Sequence, residues 1–300
     1  MKMDERKRKT LILVQTDPDK DMMFKYWKMN GLNADIIFRP HNRGICFLRR
    51  LWANYFLPGY SLWYGSWKKN ISEYDTVIIH ADVRTRTVPR YIHKIKPSMR
   101  IIYWYWNPVN EASRPHLTRD ENIECWSFDE KDCEIYNMKK NIQYYYEQTM
   151  QKSNNIEYDV YFVGHDKGRG ERIAEIKKVL EEKGISGRFD LVKGLNQEIL
   201  YGEVQERIRR ANAILEVNQE GQVGCTLRAL EALFYRKKLI TTNANIIYED
   251  FYNENNIFVY GVDDISRLRT FIRSPYDKSS DKFRSLHTID AWFSNFFERS

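Results

Sequence analysis

Apolar runs of strand length, without polar alternation, recur along this chain, and each is followed by a segment long enough to cross back over a sheet. Residues 10–16 (TLILVQT), 35–39, 74–81 (YDTVIIHA), 100–106 (RIIYWYW) and 124–128 form a first series. Runs that are apolar on both sides suit a parallel sheet covered on both faces, with the intervening segments as crossovers. Asp17-Pro18-Asp19 closes the first run as a turn signal.

A second series restarts after a polar, aperiodic stretch at 148–156, which reads as a linker. Strands are predicted at 158–163, 189–192, 213–217, 238–242 and 257–260. Helices alternate with them. Ile173, Ile176 and Leu180 share one face of the first, and Gly184 ends it. Leu200, Val204, Ile208 and Ala211 mark the second, and residues 227–234 the third. The alternation predicts a doubly wound α/β domain. Near the C-terminus, Ile289, Trp292, Phe293, Phe296 and Phe297 form one helix face that must be buried.

The 300 residues are enough for two domains. No apolar run approaches the roughly 18–20 residues of a membrane span. The charged N-terminus runs straight into a strand and is not expected to be a signal peptide. Cys46, Cys125, Cys133 and Cys225 lack C-x-x-C spacing, so a reducing compartment is expected, without a disulfide frame or zinc site.

Charge separates the two halves. Residues 1–155 carry 26 Lys+Arg against 18 Asp+Glu, and residues 156–300 carry 22 against 23, within an overall net charge of +7. The surplus is densest at 36–110, where 12 basic residues face only Glu73, Asp75 and Asp82.

In an open α/β sheet, ligands bind beyond the carboxyl ends of the strands. Two loops of the second half fall there. Gly164–Gly170 is glycine-rich and carries Lys167 and Arg169, with Arg172 just beyond it, a combination that suits a diphosphate. A plain glycine-rich turn with solvated cations is the equal alternative. The second loop, QEGQVGCTLR at 219–228, contains Gly221 and Gly224. Thr226, Leu227 and Arg228 open a helix whose first N–H groups can hold a phosphate. Glu231 follows among apolar residues and needs a partner, either Arg228 three residues before it or a pair of ribose hydroxyls.

Two α/β halves, the V-G-x-x-K-G-R loop at 163–169 and the G-x-x-G-x-T-L-R-A-L-E-A-L run from Gly221 together resemble GT-B glycosyltransferases. They resemble especially the group allied to glycosyltransferase family 4 and to bacterial capsule, lipopolysaccharide and spore-maturation glycosyltransferases. The resemblance spans Tyr158 to Asn256. Earlier in the chain it rests on architecture and on Trp126-Ser127-Phe128-Asp129.

The resemblance implies a GT-B fold of two Rossmann-like domains facing across a cleft. Residues 1–155 would be the acceptor domain, 156–285 the nucleotide-sugar donor domain, and 286–300 a helix returning to the first. Lys167 would match the family's lysine, Arg169 or Arg172 its phosphate-binding arginine, and Glu231 the ribose-binding second glutamate of its E-x7-E pair. The first glutamate of that pair falls on Val223, with Glu220 out of register. The implied activity is metal-independent hexosyl transfer from a nucleotide diphosphate sugar, with no cofactor beyond that donor.

In the first half, Asp82 is the leading candidate for the base that takes the acceptor proton, and His80 the second. The alternative for Asp82 is the N-cap of a helix over 84–95, and for His80 a hydrogen-bonded core histidine. Residues 43–69 contain Arg43, Arg49, Arg50, Lys68 and Lys69 and no acid, interleaved with Phe47, Trp52, Tyr55, Phe56, Trp63, Tyr64 and Trp67. This composition suits an anionic membrane surface, or else an aromatic helical hairpin packed on the sheet. The expected setting is the cytoplasmic face of the membrane, with a surface-polysaccharide or lipid-linked glycan as acceptor. A GT-B-like protein that binds nucleotide without catalysis is a second reading. Single-stranded nucleic-acid binding is a third, opposed by the absence of an RNA-binding signature.

Overall fold

The computed structural model describes residues 2–15, 22–39, 43–55, 57–118, 120, 122–145, 155–192, 199–219 and 224–298, without the side chains of Met22, Arg43, Arg50, Ala53 and Asn54. The Asp17-Pro18-Asp19 turn and Glu220, Gly221 and Val223 lie outside the described residues, as does most of the expected linker. The chain divides into two compact units. One comprises Met1–Ile142 with Ser294–Ser300, and the other Gln143–Phe293.

In the first unit, strands β1 (Thr10–Val14), β2 (Asn33–Ile36), β3 (Thr76–His80), β4 (Arg100–Tyr105), β5 (Ile123–Ser127) and β6 (Lys139–Lys140) form one sheet, ordered β2-β1-β3-β4-β5-β6. Every pairing within it is parallel. Helices α1 (Met3–Arg8), α2 (Met22–Met29), α3 (Arg43–Asn54), α4 (Val88–Ile95) and α5 (Glu130–Tyr136) accompany it. Ile12, Leu13, Ile78, Ile79 and Ile102 are fully enclosed, as runs apolar on both sides require.

Three expectations shift here. The second strand begins two residues early, at Asn33, and Phe38 instead makes an isolated antiparallel bridge to Tyr64. Helix α4 begins at Val88, not at 84, with Thr87 at its N-cap and Pro89 in its first turn. Proline is tolerated there because the first-turn N–H groups have no helical partner. Asp82 is therefore not a cap of α4. The aromatic segment at 43–69 divides: Tyr60, Tyr64 and Trp67 are buried in the core, whereas Phe47 and Tyr55 are exposed.

The second unit holds β7 (Tyr158–His165), β8 (Gly187–Val192), β9 (Ala211–Glu216), β10 (Lys238–Thr241) and β11 (Ile257–Val259). They form a parallel sheet ordered β11-β10-β9-β7-β8. Helices α6 (Gly170–Glu182), α7 (Tyr201–Arg209), α8 (Leu227–Tyr235), α9 (Leu268–Arg273) and α10 (Ile289–Glu298) complete the elements. Ile173, Ile176 and Leu180 bury one face of α6. Ala211 opens β9 and does not extend α7, which stops at Arg209.

The last residues of α10 pack into the first unit. Phe296 meets Trp126 edge-on at 5.0 Å and Trp104 at 5.9 Å, and its carbonyl accepts from Arg100 at 2.7 Å. Arg100 and Arg6 lie over the Phe297 ring.

Candidate donor and acceptor sites

A doubly wound sheet has one place where its strand order reverses, and there the connections leave in opposite directions and open a crevice. In the second unit this switch point lies between β7 and β9, because the chain goes from β7 to β8 on one side and then crosses to β9 on the other. The loop after β7 sits at these carboxyl ends, as do the described ends of the second loop, residues 217–219 and 224–226.

The loop after β7 is held tightly. Lys167 and Gly168 are consecutive left-handed residues, at φ 47° and 82°. For a lysine this conformation costs about 1–2 kcal/mol, so the surrounding bonds must enforce it. Asp166 accepts from the Gly170 N–H at 2.8 Å at the start of α6. Arg169 folds back under the loop, donating to the His165 carbonyl at 3.1 Å and to the Val217 carbonyl beyond β9. Gly164 makes room for it: a Cβ there would lie 2.5 Å from the Arg169 guanidinium. The glycine thus accommodates a protein cation inside the switch point. Burial and the neighbouring Arg228 depress the Arg169 pKa, against the pull of Glu216. Burial and Arg169 likewise depress Lys167. The cations are close enough to repel one another, which is the condition an anion relieves.

Across the switch point, Thr226 caps α8, accepting from the Arg228 N–H at 3.1 Å. Its hydroxyl donates to Glu216, the last residue of β9. The other Glu216 oxygen accepts from Thr241, the last residue of β10, at 2.5 Å. One buried carboxylate therefore ties the ends of two strands to the start of α8, facing Arg169 and Arg228. Burial raises its pKa despite these partners.

Glu231 is placed behind this crevice. It is 0% exposed, bonded to Arg228 on one oxygen and to Tyr201 at 2.5 Å on the other. Tyr201 in turn bonds Tyr145 at 2.9 Å. Of the two partners expected for Glu231, the structure shows Arg228. Arg172 is also apart from the cluster: it pairs with Glu175 at 2.7 Å and lies over Tyr260. Gly224 and Leu227 flank Thr226, Gly224 buried and Leu227 half-buried.

The first unit has its own switch point, between β1 and β3. Asp82 and His80 are at the β3 end of it. Asp82 accepts from the Arg84 backbone and from Arg84 Nε, both at 2.9 Å, and also bonds Gln15. Burial pushes its pKa up, but the Arg84 bonds and charge outweigh this and leave it below the ordinary carboxylate value. His80 stacks on Trp106 at 5.6 Å and meets Trp27 edge-on at 5.3 Å. Among the described residues its buried Nε2 has no hydrogen-bond partner. Burial lowers its pKa to about 3, which keeps the ring neutral.

No protein-family model and no curated protein matches the sequence. Solved structures do match. Sucrose-phosphate synthase from Thermosynechococcus elongatus superposes with a TM-score of 0.54 over 96% of this chain and 97% of that one, at 12% identity. This chain has the GT-B fold. Two further matches are HepE of Anabaena, solved with UDP and glucose, and MurG of Acinetobacter baumannii. HepE has a TM-score of 0.48 at 10% identity, covering 96% of this chain and 94% of that one. MurG has 0.42 at 9%, covering 97% and 99%.

Within this GT-B chain, the sequence pointed to Lys167, Arg169, Thr226 and Arg228, which the structure brings to the β7/β9 ends, and not to Glu216 and Tyr201, which bond Thr226 and Glu231. Glu216 had one visible signal, a carboxylate closing an otherwise apolar run (AILE). Tyr201 had none, since its partner lies 30 residues away.

Proposed function

We propose that this chain is a glycosyltransferase that uses a nucleotide diphosphate sugar. The observation that carries the reading is the β7/β9 switch point. There Arg169, Arg228 and the start of α8 converge and Lys167 is held in a strained conformation. When the bond between the anomeric carbon and the diphosphate breaks, the electron pair leaves with the diphosphate. Lys167, Arg169, Arg228 and the N–H groups opening α8 then stabilise the added charge without a metal. Glu231 acts through Arg228, and Glu216 through Thr226. In the first unit, Asp82 receives the proton of the attacking acceptor hydroxyl, with neutral His80 as the adjacent acceptor of a hydrogen bond.

The transferred group is a hexosyl unit. The acceptor is a surface-polysaccharide or lipid-linked glycan of the capsule or lipopolysaccharide type, met by a cytoplasmic protein in peripheral contact with an anionic membrane. The cation-rich, acid-free segment 43–69 supports that setting. Among the described residues no helix is long and apolar enough to cross a membrane.

Thermal unfolding against a panel of nucleotides and nucleotide sugars tests the reading. A ligand of the folded state stabilises it by about 2.7 kcal/mol at a hundredfold excess over Kd. At least one nucleotide diphosphate sugar should raise the melting temperature, and Lys167→Ala should reduce the shift. A panel without any shift refutes it.

A further inference from the structure

Helix α3 is amphipathic with its apolar side outward. Phe47, Leu48, Leu51 and Tyr55 share one face and are 60%, 54%, 37% and 72% exposed. The face carrying Arg49 and Trp52 meets the fold instead. The Arg49 guanidinium lies 4.3 Å over the Phe38 ring. Trp52 donates to the Pro58 carbonyl at 2.8 Å and meets Trp63 edge-on at 5.9 Å. A surface helix ordinarily turns its apolar stripe toward the core and its charges toward water. Here an arginine is turned in and two leucines are turned out. Leu62, on the short helical turn Tyr60–Trp63 that Trp63 links to α3, is also 70% exposed. Exposed apolar surface of this kind, on a helix whose charged face is turned inward, marks an interaction site.

Charge selects what covers it. From Arg43 to Lys69 there are five cations and no acid. Lys68 donates to the Ser61 carbonyl at 3.2 Å, beside Leu62, and Lys69 is exposed. A second copy docked on the same face would set Lys68 and Lys69 against their own equivalents, which is repulsive. An anionic bilayer satisfies both halves of the surface. Its acyl boundary takes the leucines and Phe47, and its headgroups take the two lysines.

We propose that α3, with the turn at Leu62, is a membrane-docking element that lies in the interface of an anionic bilayer. This deepens the peripheral-membrane part of the proposed function and is independent of donor binding.

The test is cosedimentation of the full chain with phosphatidylcholine vesicles, with and without phosphatidylglycerol, at low and high salt. Binding is expected on the anionic vesicles, weakening as salt screens the cations. A Phe47→Ser, Leu48→Ser, Leu51→Ser triple variant should lose at least ten-fold in partitioning. Lys68→Ala with Lys69→Ala should lose several-fold, and only on anionic vesicles. Because these side chains are exposed or at the surface, both variants should keep the wild-type melting temperature and any donor-induced shift. A proposal failing here would leave that shift untouched. Wild-type protein that ignores anionic vesicles, or a triple variant that binds as well as wild type, overturns the assignment. So does sedimentation equilibrium showing a wild-type dimer that the triple variant abolishes, since the occupant would then be a second copy.

Discussion

With Glu231 enclosed and Arg228 against it, neither charge can be removed without stranding the other. Glu231→Ala leaves Arg228 without its carboxylate, and breaking such a buried pair costs about 3 kcal/mol or more. Denaturant unfolding of the variant should show that loss. A side chain serving only a ribose would leave stability unchanged. His80 supplies a pH dependence of definite sign. Its folded pKa, about 3, lies below the ordinary value of 6.5. Between these values the unfolded chain binds a proton that the folded chain refuses. Stability is thus full above 6.5 and declines as pH falls, by up to about 1.4 kcal/mol per pH unit from this residue. His80→Phe should flatten that decline in denaturant titrations, and an unchanged slope would contradict the buried neutral ring. At this scale the sequence showed which residue types stand at strand ends. It did not show which loops meet, so Arg169 was named as a candidate while its dependence on Gly164 and its tie to the Val217 carbonyl were not foreseen.

Helix α8 depends on its first turn. Thr226 supplies the N-cap and also a bond to buried Glu216, so Thr226→Ala removes both. The cap alone is worth about 1 kcal/mol, and an unpartnered buried carboxylate oxygen adds about 1–3 kcal/mol. Thr226→Ser, which retains the hydroxyl, should restore most of the stability; equal loss in both variants would show that the hydroxyl is not what matters. Elements buried on both faces were legible, because continuous apolar runs leave strands such as β3 and β4 little freedom. Elements with little burial were not. Helix α1 buries no residue and β6 is two exposed lysines, so neither leaves a periodic trace. The start of β2 was misplaced because all four of its residues are only half-buried.

At the scale of the molecule, two parallel sheets each reverse their strand order once, with Lys167, Arg169, Thr226 and Arg228 near one reversal and His80 and Asp82 near the other. The alternation of runs was enough to anticipate both sheets. The reversal itself was not legible, since strand order is set by which crossovers pass which face. The GT-B fold gives this arrangement its context, and the proposed chemistry rests on the cations at the β7/β9 ends. The most direct measurement is calorimetric titration of the stabilising nucleotide diphosphate sugar into wild-type protein and into Arg169→Met. Wild type should bind, and the variant, melting cooperatively, should bind at least ten-fold more weakly, a loss of about 1.4 kcal/mol or more. Equal affinity in the two proteins would contradict a diphosphate site at this switch point.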